Sequence, residues 1–185
     1  MTPHTEIKTL LTLFQEGYRQ RDVNQLDRFM ELFTANVEVV GTNGVRPGEY
    51  EWYLTRDTAR ALVKGDWEEW GDLKLDIESA SIHSRGEVGW VAATATVTQT
   101  IKRENYDSYL KFVKEFIETS ELPAEEKLHY ILRGGTNTIY ELNRGDTFVW
   151  PLRFTAVVLR EQEQWKFAQV NFSFPTVYFS DVRRV

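Results

Sequence analysis

Residues 151–175 read Pro-Leu-Arg-Phe-Thr-Ala-Val-Val-Leu-Arg, then Glu-Gln-Glu-Gln, then Trp-Lys-Phe-Ala-Gln-Val-Asn-Phe-Ser-Phe-Pro. Two runs rich in β-branched and aromatic residues flank a polar link, which is the pattern of a β-hairpin. Alternation counted from Trp165 puts Trp165, Phe167, Gln169, Asn171 and Ser173 on one face. Ala168, Val170, Phe172 and Phe174 take the other. Apolar groups on both faces predict a strand covered twice, by a pocket on one side and by a helix or partner subunit on the other.

Upstream of the hairpin the periodicity is first helical and then strand-like. Thr2 and Pro3 form a helix start, and Ile7, Leu10, Leu11, Phe14 and Tyr18 follow at helical spacing. Asp22 to Gln25 has the form of a capping box, with Leu26, Phe29, Met30 and Phe33 continuing a second helix. A short strand at Val37–Val40, a turn-rich loop at Gly41–Gly48 and a third helix from Arg56 to about Trp67, capped by Thr55, come next. Leu73, Leu75 and Ile77 alternate with charged residues, and beyond the turn at Gly86 the run Val88–Ile101 completes a long hairpin. From Lys102 to Arg133 helical spacing returns in Tyr106, Tyr109, Val113 and Phe116 and then in Leu128, Ile131 and Leu132, with Gly134-Gly135 as the stop. Strands are predicted again at Thr138–Leu142 and Thr147–Leu159, with a bulge or bend at Pro151.

The 185 residues form one expected domain, 1–185, with a helical insertion at about 102–135. At this length a chain buries roughly 70% of the surface it exposes unfolded. The formal charge of −6 offers no basic stripe, which excludes a nucleic-acid or anionic-membrane surface. With no cysteine there is no disulfide, thiolate nucleophile or sulfur-ligated metal. The start Met-Thr-Pro-His-Thr-Glu has no basic, apolar leader, so the expected location is cytoplasmic. Aromatic residues make up 14% of the chain, and its 6 Trp point to a filled core or a lined cavity.

Helices followed by a curved antiparallel sheet define an α+β chain. The run Gly48-Glu-Tyr-Glu-Trp-Tyr-Leu-Thr-Arg-Asp57, the strand start Gly86-Glu-Val-Gly-Trp-Val-Ala92, and Arg153-Phe-Thr155 leading to Trp165-Lys-Phe167 resemble the SnoaL-like branch of the nuclear transport factor 2-like superfamily. The resemblance covers Ile7–Ile101 and Trp150–Pro175 and leaves out the insertion. It implies a cone-shaped domain in which the sheet wraps the long N-terminal helix around a pocket, paired as a homodimer through the convex face of the sheet. The superfamily holds isomerases, dehydratases and cyclases as well as non-catalytic association domains, so fold alone leaves function open. Members of this branch commonly carry His near Asn171, and an Asn there keeps hydrogen bonding but cannot act as a base.

His4, His83 and His129 are scattered and carry no metal spacing, and no cofactor motif is present. Carboxylate chemistry survives, because an acid buried among aromatics moves protons near neutral pH. Glu51, Asp57 and Tyr18 are the catalytic candidates. Phe14, Tyr18, Trp52, Tyr53, Trp67, Trp90, Trp150, Asn171 and Ser173 are the expected pocket lining. These residues suit a small apolar or aromatic ligand. The primary expectation is a small-molecule-binding domain. A lyase or isomerase of the dehydratase or ketosteroid isomerase type is the alternative, and a non-catalytic association module is a third. The insertion is expected to serve as a lid or a dimer contact.

Overall fold

The structure, a computed structural model, describes residues 2–49, 51–100, 105–142 and 147–174. Helix α1 spans Pro3–Gln20, with the Thr2 hydroxyl accepting from the Thr5 amide at 3.3 Å. Its buried stripe is Ile7, Leu10, Leu11, Phe14 and Tyr18, as the spacing predicts. The helix ends on Arg21, held in the left-handed region at φ 50°. A 3₁₀ turn at Val23–Gln25 leads into α2, Leu26–Met30.

Phe33 departs from the helix predicted for it and opens strand β1, Phe33–Val40. The cause is tertiary: its ring lies 5.5 Å from that of Phe167 and 5.6 Å from that of Phe29, a packing that only the extended chain provides. Strand β2, Trp52–Tyr53, pairs with the end of β1. Helix α3 covers Arg56–Glu69, longer than expected, under a reciprocal capping box between Thr55 and Thr58. Strand β3 is Asp72–Leu75. The hairpin partner of β5, Val88–Thr100, is β4, Ser81–Arg85, joined through Gly86 at φ 62°.

Strands β6, Thr147–Glu161, and β7, Gln164–Ser173, form the C-terminal hairpin. The described strands make a seven-stranded sheet in the order β2-β1-β7-β6-β5-β3, with β4 also on β5. It is antiparallel in the described pairs except that β1 runs parallel to β7. Strand β6 continues through Pro151, and the irregularity falls elsewhere. The register shifts between Val157, opposite Gln169, and Val158, opposite Phe167, so Ala168 is the extra residue of a bulge.

That bulge corrects the face assignment of β7. Trp165, Phe167, Val170 and Phe172 are the buried side, while Lys166, Gln169, Asn171 and Ser173 are only half-buried on the other. Alternation predicts the faces up to Phe167 and inverts them afterwards. Phe14 anchors the core beneath, with its ring centroid 4.9 to 6.3 Å from those of Tyr18, Phe29, Phe33, Phe154, Phe167 and Phe172.

Two compact units result: Met1–Val97 with Trp150–Val185, and Thr98–Val149. The second contains an antiparallel pair, α4 Asn105–Thr119 and α5 Ala124–Leu142. The expected helix stop at Gly134-Gly135 and the expected strand at Thr138–Leu142 are both replaced by continuing helix. The glycines serve close packing instead. A Cβ on Gly134 would meet the Tyr109 hydroxyl at 2.9 Å, and that hydroxyl donates to the Ile131 carbonyl at 2.6 Å. No described helix is long and apolar enough to cross a membrane.

Candidate functional site

Helix α3 presents two adjacent stripes. Ala59, Val63 and Trp67 are buried in the core. Leu62 and Asp66 stand one position round, four residues apart, and with Trp70, the cap residue that follows the helix, line a cavity. Tyr18, at the end of α1, donates its hydroxyl proton to Asp66 Oδ2 at 2.8 Å. No described residue donates to Asp66 Oδ1.

Two abutting pockets of about 370 Å³ and 180 Å³ share Glu51, Leu62, Asp66 and Trp70. The larger adds Tyr53, Ala61 and Gly65. The smaller adds Gly41, Thr42, Asn43 and Phe172. The larger falls at the lower end of the range for small-molecule sites. Burial pushes the Asp66 carboxyl from its ordinary 3.8 up to about 7. The Tyr18 hydrogen bond and the Arg21 charge oppose that rise, and the Glu51 charge adds to it. Burial first, then Asp66, also pushes the Tyr18 phenol well above 10, so Tyr18 stays a neutral donor.

Arg21 sets this geometry. Its guanidinium donates to the carbonyls of Tyr18 at 3.0 Å, Trp70 at 2.9 Å and Gly71, and it pairs with Asp72 at 3.0 Å. The end of α1 is thereby fastened to the end of α3. Glu51 is held from the opposite side at φ 57°, its carboxylate accepting from the Asn43 amide at 2.8 Å and from Asn43 Nδ2 at 3.0 Å.

Of the predicted site residues, the structure brings Tyr18, Tyr53 and Glu51 together around Asp66. Phe14 and Trp67 fill the core behind them. Asp57 sits in the first turn of α3, where a negative charge suits the helix terminus. Trp52 donates to Glu38 at 2.6 Å, beside the Gln169 amide that donates to the other Glu38 oxygen at 2.8 Å. Asn171 and Ser173 share that side of the sheet, opposite Thr155 and Arg153. Trp90 is 47% exposed and stacks on His83, and Trp150 lies by Phe174. These rings do not converge on one cavity.

Asp66 escapes the sequence reading. Its signal is an acid four residues after Leu62 and four before Trp70, in the middle of an apolar stripe. A larger groove, about 870 Å³, runs between Thr12 and Gln15 of α1, residues 74–78, residues 94–96 of β5 and residues 151–153 of β6. Its carboxylates, Asp76 and Glu78, are exposed, so size and chemistry point to different places. Chemistry favours Asp66. Among the described residues no cluster of His and acidic groups could hold a metal ion.

A long helix packed on a curved, open, mainly antiparallel sheet is the architecture of nuclear transport factor 2-like proteins with a cystatin-like fold. The chain aligns over 98% of its length with 96% of a nuclear transport factor 2-like superfamily protein from Salmonella enterica serovar Typhimurium, at a TM-score of 0.58 and 12% identity. A Nostoc punctiforme protein with a cystatin-like fold matches 94% of this chain over 91% of its own, at 0.54 and 10%. A Novosphingobium aromaticivorans protein provisionally named scytalone dehydratase matches 98% over 93%, at 0.55 and 12%. At such identities the likeness is one of fold. No curated protein matches the chain. Residues 7–116 match the SnoaL-like domain, and the chain belongs to that family.

Proposed function

We propose that the protein binds a small molecule in the Asp66 cavity and moves a proton on it, as isomerases and dehydratase-type lyases do. One observation carries this reading: a carboxyl at about 7 takes a hydrogen bond from a neutral phenol at 2.8 Å beside an open cavity. A group half-protonated near neutral pH serves as acid or base with little loss in either role. The phenol fixes Oδ2, which leaves Oδ1 for the substrate. Tyr53, Trp70 and Phe172 supply the apolar surface for its body. The dehydratase name carried by the Novosphingobium protein agrees with this chemistry.

Carbon-detected NMR titration of the Asp66 carboxyl tests the protonation directly, with a midpoint near 7 expected. A panel of β-hydroxy ketones and β,γ-enones, charged and uncharged, tests turnover. Asp66→Asn should lower kcat by a factor of about 10² to 10⁴ while the variant unfolds cooperatively. An Asp66 midpoint near 4, or full turnover in Asp66→Asn, sinks the proposal.

A further inference from the structure

The charge of the Asp66 cavity is one-sided. Its described lining holds two carboxylates, Glu51 and Asp66, and no Lys, Arg or His. The nearest guanidinium, Arg21, is already engaged by three carbonyls and Asp72. The rest of the lining is apolar or neutral, with the aromatic side chains Tyr53, Trp70 and Phe172 around it. An anion entering here meets the Glu51 carboxylate, a partly ionised Asp66 and no donor cation. A neutral molecule leaves the repulsion between the two carboxyl groups in place, whereas a cation relieves it and sits among aromatic side chains. The chain's net charge of −6 adds a field of the same sign.

We propose that the ligand of this cavity is a small aromatic or alicyclic molecule bearing a protonated amine, with its ammonium beside Glu51 and Asp66 and its body against Trp70, Tyr53 and Phe172. This rests on the reading above that the cavity is the ligand site, and it adds the ligand's charge. The smaller pocket, about 180 Å³, fits the amine end, and the larger one fits a single ring.

Benzylamine, benzyl alcohol and benzoate share one ring and differ in charge, so they separate the cases. At neutral pH benzylamine should raise the unfolding temperature and bind about tenfold or more tightly than benzyl alcohol by titration calorimetry. Benzoate should give no shift. The benzylamine shift should vanish in Asp66→Asn and fall in Glu51→Gln, each compared with its own unliganded unfolding temperature. Since Glu51 also holds Asn43, the Asp66 variant is the deciding one if Glu51→Gln unfolds early.

Equal or tighter binding of benzoate or benzyl alcohol overturns the proposal. So does a benzylamine shift that survives Asp66→Asn, or the absence of binding by all three. The two readings fail separately. An Asp66 midpoint near 7 with no amine preference keeps the proton-transfer reading and removes this one. An ordinary Asp66 midpoint with amine preference intact does the reverse.

Discussion

Asp66 couples the fold to pH in a calculable direction. The unfolded chain sheds this proton near pH 4 and the folded chain near 7. Between those values the folded state holds a proton that the unfolded state has lost, so this group makes stability fall as pH rises from about 4 to about 7 and levels off above. Asp66→Asn should therefore gain on the parent by about 1–3 kcal/mol at pH 8 relative to pH 5, read by urea unfolding at both pH values. Neighbours tune the same midpoint: Tyr18→Phe should raise it and Glu51→Gln should lower it. A parent whose stability is flat from pH 4 to 7 apart from its other groups, with Asp66→Asn parallel to it, contradicts the assignment. The sequence exposes Tyr18 and Glu51 but hides Asp66. One acid among the three at the end of an amphipathic helix, Asp66, Glu68 and Glu69, reads as solvated until the α1 terminus, carrying Tyr18, is known to cross it.

Elements are legible where local signals agree and misread where a distant partner decides. Thr2-Pro3 and Thr55 mark their helices correctly because caps are local physics. The second face of β7 is misread because the bulge at Ala168 answers to β6, and no residue in β7 announces it. Phe33 is claimed by Phe167, 134 positions on, against its local helical spacing. The approach of α1 to Phe29 is equally non-local. A Cβ on Gly17 would sit 2.2 Å from the Phe29 ring, so the ring lies directly on the helix backbone. Gly17→Ala, favourable by helix propensity alone, should instead destabilise by about 1–3 kcal/mol through displacement of that ring. Chemical denaturation of the single variant checks this, and a net gain in stability would contradict the packing.

At the scale of the whole molecule, the unit Thr98–Val149 interrupts a chain whose flanking strands β5 and β6 are neighbours in one sheet. Neighbouring antiparallel strands need only a short link. Replacing residues 102–146 with a tight Gly-containing turn should leave one cooperative unfolding transition and the Asp66 titration near 7. Loss of cooperative unfolding would show that the first unit requires the second. The sequence ends the second helix of this unit too early, since glycines that admit Tyr109 look like a stop. The Arg21 clasp has a further consequence. By pinning the ends of α1 and α3 to each other, it holds in place the Tyr18–Asp66 contact on which the proton affinity of Asp66 depends. Any movement that lengthens the Tyr18–Asp66 contact weakens a hydrogen bond that lowers this affinity. The carboxyl resonance of one residue is thus a built-in gauge of helix spacing, readable without a label.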